Sequence, residues 1–212
     1  EILALQKIHH VFGRTTWDRA CVYNVNPDVV YHYCPELLRA PFYTGQWHRD
    51  TCEKHTIFAV AEHPIKGLPY LLQALPIVIS KYPDTRVRIA GWKSAREDMG
   101  MLGFLYISAY HRYIDREIKR HKLEDYIQFL GILNAEQMKT EYLHANAFVL
   151  PSVMENESNT LSEAKMLGVP CVASYVGGAL DRIQHGVDGY QYPSAEPEML
   201  AYYLCKIFED GE

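Results

Sequence analysis

Short apolar segments that predict β-strands alternate with helical segments along most of this 212-residue chain. Each short apolar run that ends at glycine, proline or a polar turn is typical of a buried strand. Strands that alternate with helices build a parallel sheet covered on both faces, so the sequence predicts an α/β fold with a doubly wound sheet. Ligands of such sheets bind beyond the carboxyl ends of the strands. The predicted strands are residues 56–61, 86–90, 126–130, 147–150, 171–173 and a short one near Tyr190, and the predicted helices are residues 68–81, 106–121, 135–143, 159–167 and 197–208.

The first fifty residues do not continue this alternation. They are rich in Tyr, His, Pro and Trp, and only residues 3–12 and 21–25 are candidates for helices. A second irregular stretch, residues 92–105, fits neither a helix nor a strand. We therefore interpret residues 1–50 as a linker together with part of another domain, and residues 51–212 as the domain that holds the sheet.

Two carboxylates flank the junction between the strand at 147–150 and the helix at 159–167. Glu155 lies in the intervening loop and Glu163 lies eight positions later, inside the helix. The loop aims at a helix N-terminus, where unpaired N–H groups and the helix dipole favour an anion such as a diphosphate. Eight helical steps would separate the two residues by about 12 Å. Carboxylate pairs that hydrolyse glycosides lie roughly 5 to 9.5 Å apart, so we interpret these two as holding opposite ends of one ligand.

Structural interpretations of both residues stay open at this point. Thr160 to Glu163 also fits a capping box, in which Thr160 caps the helix and Glu163 reaches back to the Thr160 backbone N–H. Glu155 fits a solvated loop acid equally well, as does Glu157 beside it.

The sequence around these acids resembles a known family. Glu155 and Glu163 match the E-x7-E motif of retaining GT-B glycosyltransferases, particularly glycosyltransferase family 4 in its bacterial capsule and exopolysaccharide form. The likeness extends from about Ile57 to the C-terminus, and residues 13–18 and 31–43 resemble the tail of the N-terminal domain of bacterial members. Further elements in the family's order and spacing are Gly168-Val169-Pro170, Gly177-Gly178 and Gly186-Val187-Asp188-Gly189.

The resemblance implies a domain organisation. Residues 51–212 would form a Rossmann-like domain that binds the nucleotide-sugar donor, the C-terminal half of a GT-B fold, and residues 1–50 would form the tail of the N-terminal domain and the interdomain linker. The chain starts at Glu1 without a Met and ends where family members continue, so we expect it to be a piece of a longer protein. With most of the N-terminal domain absent, it is expected to bind nucleotide but to transfer sugar poorly or not at all.

The resemblance also implies roles for the residues of the junction. In the family the first Glu of the motif contacts the donor sugar and the second contacts the ribose hydroxyls, and these roles fall to Glu155 and Glu163. The backbone N–H groups of Ser158, Asn159 and Thr160 would hold the phosphates of the donor.

Three further residues receive roles from the resemblance alone. Lys66 would neutralise charge on the leaving nucleotide, although without the family pattern a surface lysine beside a structural glycine is the favoured interpretation. The Arg that the family commonly carries a few positions earlier is absent from residues 61–65, so Lys66 would act alone. Gly131 and Ile132 would hold the nucleobase through their backbone groups.

The implied activity is transfer of a hexosyl unit, with retention, from a nucleotide diphosphate sugar to a glycan or lipid-linked acceptor. No metal and no cofactor is implied, because the donor is itself the substrate. Two alternatives stay open: a GT-B nucleotide-sugar epimerase, which would release an altered sugar nucleotide without an acceptor, and a noncatalytic nucleotide-sugar-binding module, which would tolerate loss of both glutamates.

Composition and the absence of several motifs argue against other classes of protein function. A formal charge of −5 and scattered basic residues give no general attraction to nucleic acid. The sequence has no D-x-D, no H-E-x-x-H and no glycine-rich phosphate loop, which argues against metal-dependent GT-A enzymes, zinc hydrolases and kinases. Five cysteines without C-x-x-C spacing predict reduced thiols and a cytoplasmic location, and peripheral association with the inner face of the membrane stays open.

Overall fold

The computed structural model describes residues 1–61, 63–91 and 109–209. In these residues the strands are β1 (His10–Gly13), β2 (Val30–Tyr33), β3 (Thr56–Val60), β4 (Arg86–Ala90), β5 (Ile127–Gly131), β6 (Ala147–Leu150), β7 (Cys171–Ser174) and β8 (Tyr190–Tyr192). The helices are α1 (Ile2–Leu5), α2 (Thr16–Val25), α3 (Leu68–Lys81), α4 (Ala109–Arg120), α5 (Ala135–His144), α6 (Asn159–Leu167) and α7 (Pro197–Glu209), with 3-10 turns at Ala40–Tyr43, Pro64–Lys66 and Gly177–Asp181.

Six of the strands form one parallel sheet in the order β5-β4-β3-β6-β7-β8. Within the sheet, β4 lies next to β3 on one side, and the chain later returns to place β6 next to β3 on the other side. The topological switch point therefore lies between β3 and β6, where α/β folds bind their ligands. Val60 and Leu150 end these two strands and mark the crevice.

The two faces of the sheet hold separate hydrophobic clusters. Successive residues of a strand point to opposite faces, and in β3 Ile57 and Ala59 pack into one cluster while Phe58 and Val60 pack into the other. The first cluster takes its helical residues from α3, α4 and α7, and the second takes them from α5 and α6. Helices thus cover both faces, and the prediction of a doubly wound α/β sheet is confirmed.

Helix α3 has the bounds that the sequence predicts, residues 68–81, although Pro76 lies in its interior. Pro69 occupies its first turn, where the missing N–H costs nothing. Five of its buried residues recur at helical spacing: Leu68, Leu71, Leu72, Leu75 and Val78. Burial of this apolar face outweighs the one backbone hydrogen bond that Pro76 cannot donate.

The first fifty residues are more regular than the sequence analysis predicts. Strands β1 and β2 pair in parallel and α2 connects them, which makes a small β-α-β unit. The predicted helix over residues 3–12 is wrong, because only its first residues belong to α1 and its last residues form β1. Helix α2 also begins before the predicted residue 21, since Thr15 and Asp18 form a capping box at its start.

Two predictions fall partly or wholly outside the described residues. These are the irregular stretch at residues 92–105 and the first three residues of the helix predicted at 106–121, which is helical from Ala109. The division between residues 50 and 51 stays a prediction. In the described residues, no helix combines the length and apolar character that crossing a membrane requires.

The reactivity of the cysteines tests this fold. Cys21 and Cys34 are exposed, Cys52 is partly exposed, and Cys171 and Cys205 are buried. Burial raises the pKa of Cys171 to about 12, so its thiol is uncharged and unreactive at neutral pH. We expect an aromatic disulfide reagent to label the two exposed thiols first and Cys52 more slowly, with the buried pair labelled only after unfolding. Peptide mass spectrometry measures the order, and rapid labelling of Cys171 in the native protein would contradict the position of β7.

Candidate functional site

The loops after β3 and β6 lie against each other at the switch point. Val153 donates its backbone N–H to the carbonyl of Ile65 at 2.8 Å. Gly67 has a φ of 70°, and a Cβ at this position would lie 1.8 Å from the carbonyl oxygen of Pro151. Position 67 therefore requires glycine for two reasons: the left-handed backbone and the close approach of the second loop. These contacts fix the 3-10 turn that carries Lys66.

Lys66 and Glu155 form an ion pair across the two loops. The Lys66 Nζ lies 2.8 Å from Oε2 of Glu155, and the same oxygen accepts a hydrogen bond from the Ser152 hydroxyl at 3.1 Å. Their side chains are 21% and 10% exposed, so Lys66 is not an exposed surface lysine and Glu155 is not a solvated loop acid. The pairing offsets the desolvation of both charges. A cation and a carboxylate are thus held together in the crevice.

Helix α6 begins at the predicted residue and directs its N-terminus toward the crevice. Ser158 is the N-cap, and its hydroxyl accepts a hydrogen bond from the Leu161 N–H at 3.3 Å. The alternative in which Thr160 caps the helix is wrong, so Glu163 lies beyond the capping position and is available to another partner. Among the described residues no acceptor takes the backbone N–H groups of Asn159 or Thr160, as expected in a first helical turn.

Glu163 is buried and paired with an arginine from the first fifty residues. The Nε and Nη2 of Arg39 lie 2.8 and 2.9 Å from the two carboxylate oxygens. Hydrogen bonding to Glu163 raises the pKa of Arg39. The Glu163 side chain is 2% exposed and the Arg39 side chain is 47% exposed, so the pair reaches from the interior to the surface.

Tyr142 supports the first turn of α6 from behind. Its hydroxyl donates a hydrogen bond to the carbonyl of Thr160 at 2.9 Å. Burial raises its pKa well above the ordinary value, so the hydroxyl keeps its proton and remains a donor. The sequence analysis missed Tyr142 and Arg39. Arg39 falls within the segment 31–43 that resembles the family, whereas Tyr142 gives no signal in the sequence.

A cleft of about 330 Å³ adjoins the Arg39–Glu163 pair and the N-terminus of α6. Its lining residues come from the segment before the Ala40–Tyr43 turn and from α6: Glu36, Leu37, Leu38, Arg39, Asn159, Thr160 and Glu163. Such a volume fits a small ligand. A cavity of about 450 Å³ around the beginning of β7 contains none of the predicted site residues. The cleft at α6 is lined by Asn159, Thr160 and Glu163, whereas Lys66, Glu155 and Ser158 do not line it.

Gly131 and Ile132 lie at the same edge of the sheet, at the end of β5. The Gly131 carbonyl accepts a hydrogen bond from the Gly91 N–H at 2.7 Å, and Ile132 is exposed. Three strand steps separate β5 from β6, which amounts to roughly 14 Å at about 4.8 Å a step. Only an extended ligand could reach from this pair to the loop of Glu155.

The loop of Glu155 is backed by two other parts of the chain. The Gly178 N–H donates to the Glu155 carbonyl at 3.1 Å, and a Cβ on Gly177 would lie 1.8 Å from that carbonyl oxygen. Thr15, at the start of α2, donates its hydroxyl to the Asn156 side chain at 3.0 Å. The glycine pair therefore contacts the backbone of residues 155–156, and Thr15 holds the Asn156 side chain.

Glu157 is not the solvated acid that the sequence analysis expects. Its side chain is 3% exposed, it pairs with Arg182, and one of its oxygens lies 3.7 Å from Nε of Arg14. It therefore helps to hold the loop. In the described residues no group of three or more His, Cys, Asp or Glu side chains could hold a metal ion, and independence from metals stays a prediction.

Residues 46–212 match the model of a family described as glycosyl transferases group 1. An uncharacterized glycosyltransferase of Methanocaldococcus jannaschii is 30% identical over 145 residues, which cover 68% of this chain and 33% of that protein. This chain thus spans about a third of the length of that curated relative.

Two solved structures share the fold. Sucrose-phosphate synthase from Thermosynechococcus elongatus superposes with a TM-score of 0.82 at 20% identity, over 99% of this chain and 51% of that chain. Anabaena HepE in complex with UDP-glucose superposes with a TM-score of 0.78 at 16% identity, over 99% of this chain and 57% of that chain. These likenesses confirm the Rossmann-like α/β fold.

The close approach of the two loops can be tested at Gly67. Gly168 provides a matched control, because its φ is 83° against 70° for Gly67 but no atom lies within 4 Å of its Cβ position. We expect Gly168→Ala to cost about 1–2 kcal/mol from the left-handed backbone, and Gly67→Ala to cost roughly 1–3 kcal/mol more from overlap with Pro151. Chemical denaturation measures both variants. Equal losses of stability would show that the loops do not meet at Gly67.

Proposed function

The chain belongs to the glycosyl transferases group 1 family, and from this premise we propose that it is the donor-binding part of a retaining glycosyltransferase of family 4. It would serve transfer of a hexosyl unit from a nucleotide diphosphate sugar to a glycan or lipid-linked acceptor, without a metal or a cofactor. The observation that carries the proposal is the convergence of Lys66, Glu155 and the N-terminus of α6 beyond the carboxyl ends of β3 and β6.

Each part of the crevice suits a different part of such a donor. The carboxylate of Glu155 accepts hydrogen bonds from sugar hydroxyls. The N–H groups of Ser158, Asn159 and Thr160 and the helix dipole bind the diphosphate. Glu163, one turn further along α6, binds the ribose hydroxyls.

The nucleobase would lie toward Gly131 and Ile132, at the far end of the sheet edge. The distance from β5 to β6 supports this arrangement, since an extended nucleotide sugar is long enough to cover it. The UDP-glucose complex of Anabaena HepE, a protein of similar fold, supports a nucleotide sugar as the ligand class.

Lys66 supports the chemistry by its position beside Glu155. As the bond between the sugar C1 and the diphosphate oxygen breaks, charge develops on the leaving nucleotide, and Lys66 and the α6 N–H groups stabilise it. The acceptor hydroxyl oxygen forms the new bond to C1 on the same face, and its proton passes to the departing phosphate. The groups that bind the acceptor would belong to the N-terminal domain of the whole protein.

Calorimetric titration with UDP, GDP, ADP and their sugars tests the donor site. We expect at least one of these nucleotides to bind, together with its sugar derivative. Glu155→Gln should weaken the nucleotide sugar about tenfold but spare the free nucleotide, because only the sugar contact is lost, and Glu163→Gln should weaken both by a similar factor. Glu124→Gln is the control, since Glu124 is exposed and the charge change is the same. Binding of no nucleotide, or equal effects of all three substitutions, would refute the proposal.

Product analysis of the full-length protein separates the alternatives. A sugar joined to an acceptor supports the transferase, whereas an altered free sugar nucleotide formed without acceptor identifies an epimerase. A noncatalytic module would keep its activity in the Glu155→Gln and Glu163→Gln variants. A cytoplasmic location, with or without peripheral membrane association, stays a prediction.

A further inference from the structure

The Arg39–Glu163 pair lies in the cleft beside the N-terminus of α6, and none of the roles given above uses Arg39. We propose that Arg39 is a positioning residue for nucleotide recognition: it holds the Glu163 carboxylate in one orientation, in which its remaining lone pairs receive the ribose hydroxyls. This inference rests on the proposed function, because it presumes a nucleotide in the cleft.

The Arg39 fork does not use every acceptor site of the Glu163 carboxylate, which also lies near the Tyr142 hydroxyl. Arg39 donates one hydrogen bond to each oxygen of Glu163, at 2.8 and 2.9 Å. An ionised carboxylate has about four lone-pair sites. Two neighbouring hydroxyls, such as those on C2′ and C3′ of a ribose, need two acceptors. The two oxygens of the carboxylate therefore provide the two acceptors that a ribose diol needs.

Burial explains why Glu163 needs this partner. A carboxylate that is 2% exposed is strongly destabilised unless it is paired and hydrogen-bonded. In the described residues, Arg39 is the ion-pair partner of Glu163. The planar guanidinium fork fixes the carboxylate plane, whereas a lysine ammonium would leave it free to rotate.

Arg39 is itself held on a rigid base. It caps the 3-10 turn Ala40–Tyr43, and its guanidinium carbon lies 5.0 Å from the ring centre of Phe42. Phe42 is fully buried and packs edge-on against Tyr142 with ring centres 5.9 Å apart. Tyr142 in turn holds the Thr160 carbonyl of α6. One aromatic cluster contacts both the arginine and the helix. We therefore expect Arg39 to keep the same position relative to Glu163 when a ligand binds.

The test compares a nucleoside diphosphate that the protein binds with its 2′,3′-dideoxy analogue. The wild-type protein should prefer the ribose form about tenfold or more, as hydrogen bonds to a charged group are lost in the analogue. Arg39→Ala and Glu163→Gln should each abolish this preference while leaving the affinity for the analogue nearly unchanged. Arg39→Lys should keep part of it, and the double variant should lose no more than either single one. Arg49→Ala is the control, since Arg49 is an exposed arginine of the same region.

Each outcome decides between distinct explanations. Tighter binding by Arg39→Ala would show that the arginine competes with the nucleotide, and an equal loss for both ligands would indicate a phosphate contact or a general structural role; both results overturn the inference. Thermal unfolding identifies variants that are not folded, and Arg39→Lys carries the test if Arg39→Ala is one of them. If the wild-type protein binds no nucleotide, the proposed function fails first, and a wild-type protein that binds without a ribose preference refutes only the inference.

Discussion

The contact between the loops after β3 and β6 is the constraint on which the rest of the site depends. It is made by backbone, with the Val153 N–H on the Ile65 carbonyl and Gly67 against Pro151, so any side chain at position 67 would push the loops apart. The sheet places the ends of β3 and β6 side by side, and this contact holds the two loops that follow them in one fixed arrangement. Only then do a lysine and a glutamate that are 89 positions apart meet at hydrogen-bond distance.

Ion pairs allow the acidic side chains between β6 and α6 to be buried. The junction between β6 and α6 carries three acids that are no more than 10% exposed, and each has a basic partner from a distant part of the chain. An unpaired carboxylate in such positions would cost several kcal/mol, so the cations are conditions of the fold as well as of the site. The net charge of the whole chain is therefore no guide to the charge that a ligand meets in the crevice. The pairs are Glu155 with Lys66, Glu157 with Arg182 and Glu163 with Arg39.

The sequence predicts those helix and strand bounds that depend on neighbouring residues. The bounds of α3, β4, β6 and α6 follow from apolar periodicity and from glycine and proline at their ends, and they agree with the structure. The strand β1 was missed because four residues with one buried position carry no clear period. The alternative cap at Thr160 stays open in the sequence because Ser158 and Thr160 are both good caps, and the structure shows that Ser158 is the N-cap. Arg39 lies 124 positions from Glu163, a separation over which a single sequence holds no pairing information.

Contacts from the first forty residues reach the loop of Glu155, the turn at Asp181 and helix α6. The Thr15 hydroxyl binds Asn156 beside Glu155, the Thr16 backbone and hydroxyl both bind Asp181 at 2.6 Å, and Arg39 binds Glu163 in α6. Composition places a boundary near residue 50, yet Arg39, which pairs with Glu163, and Thr15, which binds the loop of Glu155, come before it. The site is thus built across this boundary. A movement of the β1-α2-β2 unit would shift Thr15 and Thr16, and with them the hydrogen bonds that support the loop of Glu155 and the turn at Asp181.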